Sequence, residues 1–388
     1  MKRIILAVTA LCILQIIGPA LPASAATRME TGIATSGSLV GMDRQKLQER
    51  LDDIKAMGAT WIRVDFNWPT IQPDGPDKYD WSGYDYLVHQ ASARKLKILA
   101  VLAYTPNWAQ DPSCQALVPD KSAAKKCNPR SIEEYARFAG TVAERYRHDR
   151  IRGYEIWNEP NLLSYWRTAQ QGESLSVNPA KYALYANAAA VEIRKHNKDG
   201  VIITGGLAPL FEPSPARGMR QSDFVAQLLP HLRKDLFAGI GVHPYSWPAL
   251  PADKKAYNAF YTVDGGDPDH NLREVMRKAG WGDKEIWATE FGASTRGQRA
   301  GKPSKLWRPD HVSEPRQAEI VTNGFQNWYT KENVGPLFVH SDSDAWLGTH
   351  KNESGFGLRR PDGSEKPGFK AYKDAADAVN RADTQNED

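Results

Sequence analysis

Apolar stretches of strand length alternate along the chain with stretches in which apolar residues recur every three or four positions. The first pattern predicts buried parallel strands and the second predicts amphipathic helices. The predicted strands are Gly32–Thr35, Thr60–Asn67, Lys97–Tyr104, Arg152–Asn158, Val201–Leu207, Gly239–His243, Glu285–Glu290 and Pro336–Ser341. The predicted helices are Asp43–Met57, Ser82–Lys95, Ile132–Arg147, Pro179–Asn197, Gln221–Lys234, Asn271–Ala279, Pro315–Thr330 and Phe369–Val379.

This alternation indicates the α/β class, and eight parallel strands are the number that closes a barrel. The predicted fold is therefore a single (β/α)8 TIM barrel. An open doubly wound sheet is the main alternative, and it is disfavoured because no Gly-x-Gly-x-x-Gly motif follows the first strand. Long loops are predicted after strands three, six and seven, at Thr105–Arg130, Pro244–Asn271 and Phe291–Val312. In this fold such loops build the active site.

The first 25 residues have the pattern of a secretory signal peptide. Lys2 and Arg3 precede an apolar run, and Ala23-Ser24-Ala25 resembles a cleavage site. A membrane anchor is the weaker alternative, because the run is shorter than the roughly 20 residues that span a bilayer. We therefore expect residues 1–25 to be removed, leaving residues 26–388 as an extracellular barrel domain without a membrane partner.

Charge and cysteine content narrow the possible partners. The formal net charge is +4, and loss of Lys2 and Arg3 leaves +2, so no global basic field for nucleic acid is expected. The lysines of the stretch Lys121–Lys126 are interpreted as a solvated insertion rather than a binding patch, with a weak indication of acidic glycans. Cys114 and Cys127 can pair in an exported protein, which would hold a surface loop. A monomer is expected.

Two of the predicted strands end in or directly before a glutamate, within Asn158-Glu159-Pro160-Asn161 and within Thr289-Glu290-Phe291. A carboxylate at the edge of a core is costly unless it is paired or used. Cleavage of a glycosidic bond requires two carboxyl groups. Glu159 is the predicted general acid and base, with Asn158 beside it to bind a sugar hydroxyl. No cation lies close to Glu159 in sequence, which would let it stay protonated. Capping of a helical turn is the structural alternative for Glu159.

Glu290 is the predicted nucleophile, and it needs hydrogen-bond donors that keep it ionised. Arg63 lies in a buried strand and requires a carboxylate partner, for which Glu290 is the first candidate and Asp65 the local alternative. Tyr245, in the motif His243-Pro244-Tyr245, is expected to hydrogen-bond Glu290.

Further residues are candidates for sugar binding. His243 would line a subsite, or would be an ordinary buried histidine. Trp346 would form the floor of the binding site and stack on a sugar ring, or would pack in the core. Asn107 and Trp108 follow strand three and are additional subsite candidates. Glu155 lies four residues before Glu159 and better suits a buried polar network than chemistry at the barrel mouth.

With Arg63, Asn158-Glu159, His243-x-Tyr245, Glu290 and Trp346 in these positions, the chain resembles the retaining glycoside hydrolases of clan A. Families 5 and 39 are the most similar, and the resemblance covers nearly all of the mature chain. It implies a (β/α)8 barrel with Glu159 as acid/base and Glu290 as nucleophile. It also implies retention of anomeric configuration, a β-linked substrate and no metal or other cofactor.

The expected function is thus a secreted retaining glycosidase (EC 3.2.1.-) that hydrolyses a poly- or oligosaccharide. A content of twelve tryptophans suits carbohydrate binding. The alternatives are a catalytically silent carbohydrate-binding barrel and a metal-dependent barrel hydrolase. The metal-dependent class is disfavoured because no strand carries a His-x-His pair, and a Schiff-base aldolase because no predicted strand ends on lysine. The residues leave the sugar, the linkage and endo or exo action open.

Overall fold

The computed structural model describes residues 29–35, 39–120, 122–149, 151–169, 174–296, 311–346 and 354–385. The predicted signal peptide lies outside the described residues. No helix within these ranges combines the length and the hydropathy needed to cross a membrane.

Eight parallel strands form a closed barrel in sequence order, as predicted. Each strand pairs with the next one in the chain, and the last pairs with the first. The strands are β1 Thr31–Ala34, β2 Trp61–Asn67, β3 Lys97–Ala103, β4 Ile151–Asn158, β5 Val201–Gly206, β6 Gly239–Val242, β7 Glu285–Phe291 and β8 Val334–Val339.

Helices follow the strands on the outside of the barrel. They are α1 Arg44–Ala56, α2 Trp68–Ile71, α3 Ser82–Ala93, α4 Pro112–Ala116, α5 Ile132–Arg145, α6 Pro179–His196, α7 Gln221–Leu228, α8 Leu272–Lys278, α9 Glu314–Trp328 and α10 Pro367–Gln385. The short helices α2 and α4 lie in loops and are not predicted from the sequence. Helix α7 ends six residues before the predicted end at Lys234. Pro230 follows it, and a proline has no N–H with which to continue an α-helix.

Polar side chains begin several of the helices by capping free N–H groups. Asp43 accepts hydrogen bonds from the first turn of α1, and Ser131, Asn178 and Asn271 do the same for α5, α6 and α8. Such caps stabilise a helix by about 1 kcal/mol each. They set where each helix starts after a strand-to-helix loop.

A small apolar cluster fills the inside of the barrel toward the amino ends of the strands. It consists of Ala34, Trp61, Leu99, Ile203, Trp287 and Phe338. Trp61 and Trp287 pack edge to face with ring centroids 5.6 Å apart. Residues two apart on a strand share a face, so Arg63 and Thr289 follow these tryptophans toward the carboxyl end of the barrel. The polar layer therefore rests on an apolar one.

The loops at the carboxyl ends of the strands are long, as predicted after β3, β6 and β7. Those after β4 (159–178) and β8 (340–366) are long as well, and residues 170–173, 297–310 and 347–353 of these loops lie outside the described ranges. The predicted disulfide is present between Cys114 and Cys127, within the β3 loop. It closes the loop that carries Lys126.

Candidate active site

A cleft of about 700 Å³ opens at the carboxyl ends of the strands. Both glutamates predicted to be catalytic lie in it, with side chains 14% (Glu159) and 15% (Glu290) exposed. The other lining side chains include Arg63, Asp65, Tyr104, Lys126, Asn158, Tyr165, Tyr245, Trp247, His340 and Phe356.

The backbone on either side of Asn158 is left-handed. Trp157 has φ +74° and Glu159 has φ +49°, conformations that cost a non-glycine residue about 1–3 kcal/mol. Surrounding contacts hold them: the Glu159 N–H donates to the Gly206 carbonyl at 3.0 Å, and the Trp157 indole N–H donates to the Tyr165 carbonyl at 2.8 Å. The distorted end of β4 thus places Glu159 at the mouth of the barrel.

The second asparagine of the motif has a structural role. Asn161 is fully buried, and its side-chain amide donates to the carbonyls of Ala208 and Met219, both at 2.9 Å. Its carbonyl oxygen accepts from the Ala208 N–H at 2.9 Å. Asn161 therefore fixes the β4 loop against the β5 loop, and it does not line the cleft.

Glu290 has both of its predicted contacts. Its Oε1 accepts a hydrogen bond from Arg63 Nη1 at 2.7 Å, and its Oε2 accepts one from the Tyr245 hydroxyl at 2.8 Å. Burial by itself would raise the pKa of Glu290. The charges of His243, Arg63 and His340, with the Tyr245 hydrogen bond, outweigh burial and hold the pKa well below the usual range of a glutamate. Glu290 is consequently ionised.

Arg63 joins the carboxylates of two strands. Besides Glu290, it contacts Glu155 through Nε at 2.7 Å and Nη2 at 2.9 Å, and it donates from Nη2 to Asn158 Oδ1 at 2.7 Å. Glu155 is fully buried and also accepts from the Gly206 N–H at 2.7 Å, which confirms its place in a buried polar network. Among the described residues Arg63 forms no ion pair with Asp65, which instead faces the cleft.

His243 does not line the subsite, contrary to the sequence-based expectation. Its ring is fully buried, with Nδ1 3.1 Å from Glu159 Oε1 and 3.6 Å from Glu290 Oε2. Burial lowers the pKa of His243, but the two carboxylates outweigh burial and raise it above the usual value. Glu159 thus has a partner that can be cationic, although none is close in sequence.

Two of the other predicted subsite residues lie away from the cleft. Trp108 packs edge to face on Trp68 and donates to the Gln72 carbonyl at 2.8 Å. Asn107 is exposed and accepts from Gln110. Trp346 ends a short 3₁₀ turn after β8, and its side chain lies outside what the structure describes. The stacking role predicted for Trp346 therefore stays a prediction.

Several cleft residues are not singled out by the sequence analysis. Tyr104, Tyr165, Trp247 and Phe356 provide aromatic surface. Tyr104 directly follows the end of β3, a position that could have identified it, whereas Trp247 lies five residues beyond the end of β6. Lys126, interpreted from sequence as part of a solvated insertion, also lies in the cleft, so that interpretation is wrong for this residue.

Among the described residues, one group of side chains has the ligand types of a metal site. Glu159, His243 and Glu290 each offer a ligand atom, and these atoms lie within 4.8 Å of one another. Both oxygens of Glu290 already accept hydrogen bonds, and the Arg63 guanidinium lies 2.7 Å from one of them. A neighbouring cation of this kind opposes a second one. The group suits a reactive carboxylate pair better than a metal.

The spacing of the two carboxyl groups has a chemical meaning. An oxygen of Glu159 lies within 4.8 Å of an oxygen of Glu290. Retaining glycosidases hold their carboxyl groups about 5–5.5 Å apart, whereas inverting enzymes separate them by about 6.5–9.5 Å to admit a water molecule. The separation of Glu159 and Glu290 is thus shorter than the spacing that inverting enzymes need to admit a water molecule.

The family model for cellulases, glycosyl hydrolase family 5, matches residues 24–331. The chain belongs to glycosyl hydrolase family 5. The resemblance to clan A seen in the sequence is thereby confirmed.

Solved structures similar to this family 5 protein share its fold. A family 39 glycoside hydrolase from Bacteroides cellulosilyticus is 18% identical with a TM-score of 0.63, over 90% of this chain and 64% of that one. A monomeric β-xylosidase from Caulobacter crescentus is 18% identical with a TM-score of 0.59, over 89% and 67% of the two chains. Xylanase 10B from Thermotoga maritima is 14% identical with a TM-score of 0.58, over 92% and 97%.

A curated relative matches over a short segment only. A β-amylase from Trifolium repens is 34% identical over 62 residues, which are 16% of this chain and 12% of the amylase. The family 5 protein therefore matches about an eighth of the length of that relative.

Proposed function

We propose that this protein is an exported retaining glycosidase that cleaves β-linked poly- or oligosaccharides by double displacement. The observation that carries the proposal is the pair Glu159 and Glu290 at the barrel mouth, with oxygens within 4.8 Å of each other and unequal surroundings. Of these two glutamates, Glu290 is the one that accepts hydrogen bonds from Arg63 and Tyr245. A carboxylate held ionised by two donors suits a nucleophile, and this leaves Glu159 as the acid/base.

In the first displacement, Glu290 attacks the anomeric carbon while Glu159 gives its proton to the departing glycosidic oxygen. The carbon–oxygen bond to the leaving sugar breaks as the ester bond to Glu290 forms. The hydrogen bonds from Arg63 and Tyr245 orient the Glu290 carboxylate toward the anomeric carbon. Its negative charge is lost as the ester forms. Asn158 accepts a hydrogen bond from Arg63, and in this proposal it binds a hydroxyl of the reacting sugar beside Glu159.

In the second displacement, Glu159 is ionised and takes a proton from water, whose oxygen attacks the anomeric carbon. The ester bond breaks, Glu290 is regenerated as a carboxylate, and the sugar leaves with its original configuration. His243, 3.1 Å from Glu159, stabilises the ionised form of the acid/base in this half of the cycle.

The first test removes the two carboxyl groups separately. Glu290→Gln should lower kcat by about 10⁴-fold or more, because no covalent intermediate can form. Glu159→Ala should lose most activity, and azide should restore it on nitrophenyl glycosides with good leaving groups, since these need no general acid. Glu332→Gln, on an exposed glutamate, is the matched control and should keep full activity.

Two outcomes would contradict the proposal. Turnover by Glu290→Gln near the level of the parent protein would remove the nucleophile assignment. Absence of azide rescue in Glu159→Ala would remove the acid/base assignment. The substrates for both assays come from a screen of β-linked nitrophenyl glycosides beside polysaccharides. Proton NMR of the first product formed should show the anomeric configuration of the substrate.

A further inference from the structure

Lys126 projects into the cleft between two tyrosine rings. Its ammonium nitrogen lies 3.2 Å from the ring centroid of Tyr104 and 4.0 Å from that of Tyr165. No carboxylate oxygen lies within 4 Å of this nitrogen in the described part of the chain, where Asp65 and Glu159 attract it only over longer distances. An ammonium carries three hydrogen-bond donors, and it is costly to remove from water without acceptors.

The position of the ammonium changes what the two tyrosines can do. Exposed aromatic faces in a carbohydrate cleft ordinarily stack on the apolar face of a sugar. Here the faces of Tyr104 and Tyr165 are covered by a cation, held there by the ring quadrupoles. This side of the cleft therefore presents hydrogen-bond donors and positive charge rather than an apolar platform.

The backbone around Lys126 is firmly held. Its carbonyl accepts from the Arg167 N–H at 3.0 Å, and the carbonyl of Lys125 accepts from the Thr105 N–H at 3.0 Å. The Thr105 hydroxyl donates to the carbonyl of Cys127 at 2.6 Å, and Cys127 is joined to Cys114 by the disulfide. The lysine is thus preorganised, as a specificity-determining group must be.

We propose that Lys126 recognises a carboxylate on the sugar bound in this cleft, so that the substrate is a uronate-containing glycan. This inference rests on the proposed function and names the substrate class of the same site. A carboxylate would supply the acceptors that the ammonium lacks among the described residues, and a charge-assisted hydrogen bond is about twice as strong as a neutral one. Lys125, exposed on the same turn, does not line the cleft.

The first experiment compares each carboxylated polymer with its own carboxyl-reduced form. Alginate, hyaluronan and glucuronoxylan serve as the carboxylated polymers, and a sulfated galactan beside its desulfated form tests a different anion. We expect kcat/KM to be at least about ten-fold higher on the carboxylated member of any pair that is cleaved. Higher activity on reduced polymers, or a preference for the sulfated galactan, would overturn the inference.

Substitution tests the lysine itself. Lys126→Met should lower the ratio of kcat/KM between carboxylated and reduced polymer by about ten- to a hundred-fold, and Lys126→Arg should keep part of it. Lys125→Met is the matched control and should keep the ratio of the parent protein. Equal losses on both polymers in Lys126→Met would contradict carboxylate recognition.

A binding measurement decides the question without turnover. Burial lowers the pKa of Lys126 to about 7, although Asp65 and Glu159 oppose this effect. After reductive ¹³C-methylation, a titration followed by NMR should show this pKa rising when glucuronate is added, with no change for glucose. The same response to both sugars, or to neither, would refute the inference. In that case the proposed function could still hold on its own. It would be supported if the protein hydrolysed neutral glycans and Glu290→Gln abolished that hydrolysis.

Discussion

Arg63 is the residue on which the arrangement of the cleft depends. Its guanidinium contacts Glu155, Asn158 and Glu290 together, at distances of 2.7 to 2.9 Å. These partners belong to two strands, and only a planar fork with five donors can serve them at once. The same cation favours the ionised form of Glu290 and orients Asn158, which precedes Glu159. One side chain therefore acts on both sides of the proposed catalytic pair.

Arg63→Lys should therefore lower kcat/KM by about 10²–10³-fold while the barrel stays folded. The pKa of Glu290 lies below its usual value in the parent protein, and weaker pairing in the variant should raise it. Because Glu290, as the proposed nucleophile, must be ionised to attack, the acidic limb of the pH profile of kcat/KM should move to higher pH. Arg94→Lys, in a surface pair with Asp52, is the control and should leave the profile in place. An unshifted acidic limb in Arg63→Lys would refute this account.

At the residue scale, the sequence predicts the charged and polar side chains that meet at the carboxyl end of the barrel. It does not predict correctly the side chains whose positions depend on packing. Arg63, Tyr245 and Glu290 come together as predicted, because buried strand ends must pair their charges. The sequence leaves His243 ambiguous, because a histidine at the end of a strand can either face a ligand or be buried under the binding site. In the structure its ring is fully buried. Trp108 follows a strand as a subsite residue would, yet Trp68 and Gln72 hold it elsewhere.

At the scale of elements, the end of β5 supports β4 and β6. Gly206 accepts a hydrogen bond from the Glu159 N–H and donates one to Glu155. A Cβ atom on Gly206 would lie 2.3 Å from His243 Nε2 and 2.3 Å from Thr289 Oγ1. The strand therefore requires glycine here, because the His243 ring and the Thr289 hydroxyl occupy the space that a Cβ atom would need.

Gly206→Ala should destabilise the protein by about 1–3 kcal/mol through overpacking, measured by urea unfolding. It should also lower kcat/KM by more than about ten-fold, because His243 or Thr289 must move. Gly280→Ala, at the end of α8 with φ +76° and open space around it, is the control. It should cost about 1 kcal/mol through backbone strain and leave kcat/KM per folded molecule unchanged. Equal activity in the two variants would show that the layer above Gly206 tolerates displacement.

The boundaries of most strands and helices could be predicted to within two residues, since apolar periodicity and caps such as Asp43 and Asn271 mark them. The short helix α4 could not, because it depends on contacts within the β3 loop, where Asp111 caps it and the disulfide holds it. The place of Lys126 in the cleft follows from the same loop. A basic stretch in sequence does not show which of its lysines turns inward.

At the scale of the whole molecule, closure of the barrel joins its first strand to its last strand. β1 pairs with β8, and α10 packs across the start of the barrel. The Tyr372 hydroxyl donates to the Gly32 carbonyl at 3.2 Å, and Asn380 donates to the Gly58 carbonyl at 3.1 Å. Eight strands in sequence predict such closure, but the partners of the last helix depend on packing that periodicity alone does not specify.

Tyr372 is the buried anchor of this closure, with its ring edge to face on Phe325 at 5.5 Å. Tyr372→Ala should lower the free energy of unfolding by about 3–5 kcal/mol, because it leaves a large cavity between α10, α9 and β1. Tyr372→Phe keeps the ring and should cost about 1 kcal/mol for the lost hydrogen bond. Gly32 lies toward the amino end of β1, away from the cleft, so kcat/KM of folded protein should match the parent in both variants. Urea unfolding and assays at low temperature measure the two quantities. If Tyr372→Ala were as stable as Tyr372→Phe, the anchor would lie elsewhere in α10.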